Sequence, residues 1–231
     1  MSSGALIALC AVGGLVVGWL MSVVVERVPE KRSLFERPFP ELRVLLRRPG
    51  GIVTVVTTGT VAAGMAARFG DVWELPAFLV LAVALVALSV IDLRLFLLPN
   101  RIVYPLAVVT VLLLAAAAFA NDDGDALLRA LACGAGAFAA FAALHLASPR
   151  AMGFGDVKLA FVLGLGLGWL GVGETVLGLF LGFVYGSVIG LGLIATRIRS
   201  RKDHVPFGPF LAAGTITAVL VGYAILDWYR A

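Results

Sequence analysis

Two aspartates stand where this sequence makes a carboxylate expensive. Asp156 lies in Gly153-Phe154-Gly155-Asp156-Val157-Lys158, set among hydrophobic segments, and Asp92 closes another apolar run. A carboxylate beside hydrocarbon needs a partner, water or a catalytic task. If the two meet within hydrogen-bond reach, both cannot ionise cheaply, and one shared proton is expected. The ionised carboxyl then takes a proton from water while its partner donates to a peptide carbonyl. Those roles belong to the pair rather than to either residue. The chemistry is aspartic peptide hydrolysis at a membrane face.

The neighbouring residues suit that chemistry. Gly153 and Gly155 remove side-chain bulk, so an extended substrate backbone can come close to Asp156. Pro99-Asn100 follows Asp92 by seven and eight residues and marks a turn into the next helix. Pro206-Phe207-Gly208-Pro209 opens the last apolar run. Irregular backbone at membrane depth needs protein or water partners, so this turn is a candidate wall of the site. Lys158 is placed to bind substrate carboxyl groups or balance Asp156; simple snorkelling explains it equally well. Each aspartate alone also reads as a solvated helix-end acid, and a lone GxGD is weak evidence. The combination on one face is what carries weight.

Other candidates weaken. His145 reads as a residue late in a helix that packs or faces the interface. His204 neighbours Pro206, yet no metal partners accompany it. No Ser-His-Asp spacing persuades, although Ser148 precedes the glycine turn. Cys10 and Cys133 sit in apolar runs without CxxC spacing, which argues against a zinc site or a disulfide framework. No cofactor or metal is expected.

The elements that must position the aspartates are membrane helices. Of 231 residues, 61% are hydrophobic and 14% charged, where soluble domains carry roughly 25% charged residues. Apolar runs predict an all-α, polytopic helical membrane bundle of about eight transmembrane helices. They fall at about 4–25, 51–68, 75–91, 102–120, 126–147, 157–172, 174–196 and 208–228. The first run has no basic residue before it and no clear cleavage site after it, so it reads as a retained span rather than a signal peptide. With the N-terminus outside, 15 of 18 basic residues fall on the inner side. That asymmetry is a strong orientation signal, and it puts Asp92 and Asp156 on the same, cytoplasmic face. Glu174, Asp122, Asp123 and Asp125 fall on the opposite face as solvated loop acids. The basic excess orients helices and meets anionic lipid; nucleic-acid binding is excluded for want of a soluble domain to carry it.

The chain reads as one membrane domain over residues 1–231. Its one sizeable loop, about 26–50, mixes Arg, Glu and Pro, with a short interfacial helix around Glu41–Arg48. Gly178, Gly182, Gly186 and Gly190 recur every four residues, a ridge for close helix approach. Gly164, Gly166 and Gly168 add flexibility or close contact to the helix before it.

Three segments resemble the type IV prepilin peptidases. Asp92-Leu-Arg-Leu-Phe-Leu-Leu-Pro99-Asn100 is similar to the family's first catalytic motif. Met152-Gly-Phe-Gly-Asp156-Val-Lys158-Leu is similar to the second, with its GxGD signature. Pro206-Phe-Gly-Pro-Phe-Leu-Ala-Ala-Gly214 resembles the C-terminal segment. The match runs in order over about residues 75–215. The resemblance implies a polytopic aspartic peptidase with Asp92 and Asp156 as its catalytic pair. It also implies substrates that are prepilin or pseudopilin precursors, cut between a short basic leader and a hydrophobic helix at the cytoplasmic face of the cell membrane.

The N-terminal third departs from the pattern. Gly18-Trp-Leu-Met-Ser-Val-Val-Val-Glu26-Arg-Val-Pro29 only loosely resembles the usual entry motif, and the loop after it has no cysteine. Bifunctional members carry two cysteine pairs there and also methylate the new N-terminus, so methylation by this chain is left open. A basic leader meeting a basic inner face is the awkward point. Screening by anionic lipid answers it, or Glu26, Glu30, Glu36 and Glu41 receive the leader. Two other readings compete: a related GxGD protease that cuts within transmembrane helices, and a small transporter whose buried acids carry protons. The oligomeric state and the pilus or secretion system served are not legible in the residues.

Overall fold

The computed structural model describes residues 2–27, 49–149, 152–198 and 205–230. Within them the chain forms eight α-helices: α1 (Ser3–Arg27), α2 (Pro49–Phe69), α3 (Leu75–Leu95), α4 (Asn100–Asn121), α5 (Gly124–Ala147), α6 (Phe154–Leu170), α7 (Val172–Ala195) and α8 (Gly208–Arg230). The expected helix at 41–48, with Glu30, Glu36, Glu41 and His204, falls on residues outside the described ones.

The helices are apolar around most of their circumference, the pattern of segments buried in lipid or in other helices. Seven are long and apolar enough to cross a membrane; the protein is a multi-pass helical bundle. The exception is α6. Its 17 residues rise about 25 Å, and most of its length between Asp156 and Trp169 is buried by other helices. α6 is the core element of the bundle.

Glycine brings its neighbours that close. α5 and α6 run antiparallel. A Cβ on Gly164 would lie 2.8 Å from the Gly134 Cα, and one on Gly168 only 3.0 Å from the Ala130 Cα. On another face, a Cβ on Gly166 would strike Leu81 of α3 at 2.6 Å. The sequence left flexibility and close contact open for these glycines; the structure uses them for contact. The ridge on α7 holds in part. Gly178 and Gly182 meet Ala218 and Leu211 of α8, and Gly186 meets Phe207, while Gly190 has no neighbour within 4 Å of its would-be Cβ. Small residues are what let membrane helices pack at backbone range, where apolar burial alone supplies no drive.

The far end of α6 is tied down by a charge. Arg129 of α5 donates from Nε to the Gly168 carbonyl (2.9 Å) and from Nη2 to the Trp169 carbonyl (2.6 Å). A helix leaves its last carbonyls unpaired and carries partial negative charge there, so a guanidinium suits both needs. Arg129→Met removes both donors and is expected to cost about 2 kcal/mol or more. A lowered unfolding midpoint in detergent checks this; an unchanged midpoint refutes it.

Candidate active site

Four segments converge at one end of the bundle, and each brings one of the residues singled out by the sequence. Asp92 sits in the last turn of α3 and is only 5% exposed. The helix runs on to Leu95, four residues past the predicted end at 91. It stops at Phe96, whose N–H donates to the Asp92 carbonyl (2.9 Å) with φ 54° and ψ 38°. A left-handed residue bearing a Cβ costs roughly 1–2 kcal/mol. The turn lets Leu97 and Leu98 fold back beside Asp92. Pro99 then caps α4, its carbonyl accepting from Ile102 (2.9 Å) and Val103 (3.1 Å).

Asp156 is the third residue of α6 and 8% exposed. α6 starts three residues before the expected 157, so the GxGD turn is part of the helix start rather than a loop ahead of it. Gly153 is the N-cap, in extended conformation. Its carbonyl accepts from the Asp156 N–H (3.1 Å). That bond closes the first turn of α6 on Gly153, with the aspartate at its third residue. His145, near the end of α5, lies with Nδ1 2.8 Å from the Met152 carbonyl. Since a carbonyl only accepts, Nδ1 carries the proton. Its ring also packs on Phe154 at 5.5 Å. His145 therefore holds the turn that delivers Asp156, a role beyond the packing or interfacial position expected of it.

The third motif reaches the first directly. The Gly208 N–H donates to Asp92 Oδ2 at 3.0 Å. A Cβ at Gly208 would lie 2.7 Å from that same oxygen, so only glycine lets the backbone come this near. Gly208 is the first residue of α8, which places the Asp92 carboxylate at that helix's positive end. Asp156 occupies the same kind of position on α6. Both carboxylates thus sit at helix amino ends, although Asp92 belongs to a helix that is ending.

The two aspartates line one cavity of about 90 Å³. Gly153, Gly155, Pro206 and Phe207 line it as well, joined by Phe96, Leu97, Leu98 and Val205. Sequence reading missed those four. The three in the first motif were in view as a hydrophobic stretch between Asp92 and Pro99, but nothing in their types said that the helix would reverse there. Gly155 earns its place by packing: a Cβ on it would lie 3.1 Å from Leu98 Cβ. Pro99, Asn100, Lys158 and Pro209 stand outside the cavity wall. Lys158 does not serve Asp156 as a counter-charge. Its ammonium donates to Asn100 Oδ1 (2.9 Å) and lies 4.8 and 5.1 Å from the ring centres of Phe154 and Tyr104.

The arrangement offers two buried carboxyls facing a small shared space, a glycine approach on one side and an apolar wall on the other. A water takes about 30 Å³ of liquid volume, so the space admits water beside a reacting group. That is the equipment for acid–base attack by water on a carbonyl.

A sequence model described as the type IV leader peptidase family matches residues 79–195, a stretch that holds both aspartates. Over 173 residues the chain is 34% identical to a prepilin leader peptidase/N-methyltransferase of Aeromonas hydrophila, covering 74% of this chain and 58% of the relative. With the protein of that name in Pseudomonas aeruginosa it shares 31% over 175 residues, covering 75% and 59%. With the one in Bacillus subtilis it shares 29% over 174 residues, covering 75% and 67%. The chain thus spans little more than half the length of the first two. No solved structure matches it.

Proposed function

The chain belongs to the type IV leader peptidase family, and from that premise we propose that it is a membrane aspartic endopeptidase acting through Asp92 and Asp156. The single observation that carries the proposal is the shared cavity: two nearly buried carboxyls, 64 residues apart in sequence, line the same small space. In the proposed cycle the pair holds one proton. The ionised carboxyl takes a proton from a water as that water adds to the scissile carbonyl, and the partner protonates the carbonyl oxygen. The tetrahedral intermediate then collapses: one of its hydroxyls gives its proton to the ionised carboxyl, and the carbon–nitrogen bond breaks. The departing amine takes the proton held by the other carboxyl, which leaves the pair with one proton again. The Gly208 amide holds Asp92 in place through both steps.

The substrates proposed are prepilin-like precursors, in which a basic leader precedes a hydrophobic helix. Cutting occurs at the cytoplasmic face, a sidedness supported by the 15 of 18 basic residues that the topology assigns to that side. Anionic lipid is the proposed surroundings of that basic face. Residues 1–231 act as one membrane unit in this reading, with 26–50 a cytoplasmic loop. The proposal covers peptide cleavage only; the absence of cysteine from 26–50 gives methylation no support.

Co-expression with a panel of prepilins tests it. A shortened pilin, with its new N-terminus read by mass spectrometry, is the expected result. Full-length precursor throughout the panel, with the enzyme present in the membrane, overturns it.

A further inference from the structure

One contact outside the cavity joins the two motifs that carry the aspartates. Asn100 follows Asp92 by eight residues and opens α4; Lys158 follows Asp156 by two and lies in the first turns of α6. Between them runs the 2.9 Å bond from Lys158 Nζ to Asn100 Oδ1. Each motif therefore contributes one half of a single cross-connection.

The bond is exposed, but two features distinguish it from a snorkelling lysine. A snorkelling ammonium reaches along its own helix for water, whereas this one reaches sideways to a neighbouring helix. It is bracketed by the rings of Phe154 and Tyr104, at 4.8 and 5.1 Å, and those rings belong to α6 and α4 respectively. Cation–π attraction to both restricts a side chain that otherwise has ample rotamer freedom. Beneath the bond, the connection that leads into α4 presses on the start of α6, where a Cβ on Gly155 would meet Leu98 Cβ at 3.1 Å. Leu98 also lines the cavity.

We infer that Lys158 and Asn100 form a latch that sets the spacing of the two aspartates by pinning the amino ends of α4 and α6 together. Both are positioning residues: they act through Leu98 and the first turn of α6. The inference rests on the aspartate-pair reading, and it makes Lys158 part of the catalytic geometry without giving it a proton to move.

The test uses the full chain in lipid nanodiscs with a purified prepilin. Lys158→Met and Asn100→Leu should each lower kcat about tenfold with KM little changed. The double variant should be no slower than either single one, because one bond is lost in every case. Asn100→Asp, which keeps an oxygen acceptor, should restore most of the rate. Losses that multiply in the double variant, or a rise in KM with kcat intact, overturn the latch. A second readout needs no catalysis. In a Cys10→Ala, Cys133→Ala background, cysteines placed at Leu98 and Gly155 should cross-link several-fold more slowly once Lys158→Met is added. Equal cross-linking rates overturn the latch even if no prepilin is cleaved, an outcome that would separately count against the peptidase reading.

Discussion

Asp92→Asn and Asp156→Asn are each expected to slow precursor cleavage by roughly 10³-fold or more, the scale of losing a positioned acid or base. Asparagine matches aspartate in size, so the cavity and the Gly208 contact keep their shape: the amide oxygen at position 92 still accepts the 3.0 Å bond. What disappears is the proton traffic. Because the two carboxyls act as one unit, the double variant should be scarcely worse than either single one. Time courses of precursor and mature pilin, with equal enzyme levels in the membrane, give the measurement. Full activity in either variant would remove that aspartate from the mechanism. A fall that tracks loss of protein from the membrane would point to a structural role instead.

Gly208→Ala is the second large effect. The added methyl would stand 2.7 Å from Asp92 Oδ2, 3.4 Å from its Cγ and 3.4 Å from Leu98 Cδ2. Either the carboxylate swings away or the start of α8 withdraws, and both lose the amide bond. Misplacing a reacting group by about an ångström can cost on the order of 10²-fold, and a loss of that order in kcat is expected. The same substitution at Gly190, where a Cβ meets nothing within 4 Å, should leave cleavage unchanged. Equal behaviour of the two variants would show that the Gly208 contact is dispensable.

The helices were legible because lipid imposes long apolar runs. The fourth, expected at 102–120, is observed at Asn100–Asn121, and Pro99 marks its start as the sequence suggested. Helix ends near the site were less legible. Asp92 reads as the residue after a helix, since hydrophobicity breaks there, yet the backbone carries on to Leu95 and stops through Phe96 in a left-handed turn. Neither glycine nor proline announces that stop. Asp156 reads as a residue before a helix for the same reason, and its N–H bond to the Gly153 carbonyl draws it inside. The three motifs could be placed on one face by charge counting alone. Which atoms touch could not: Gly208 meets Asp92 across 116 residues, and Lys158 meets Asn100 across 58. A lysine two residues from an aspartate suggests an ion pair; a neighbouring amide and two rings claimed it first.

The dependence of Asp92 on the amide of residue 208 also has a meaning in time. A ribosome that has made the first 200 residues has already supplied both aspartates. It has not yet supplied the Gly208 donor, or the stretch from Val205 to Phe207 that walls the cavity. The cavity has all of these parts only once α8 has joined the other helices. A chain not yet made past α7 therefore holds both aspartates without the amide that fastens Asp92.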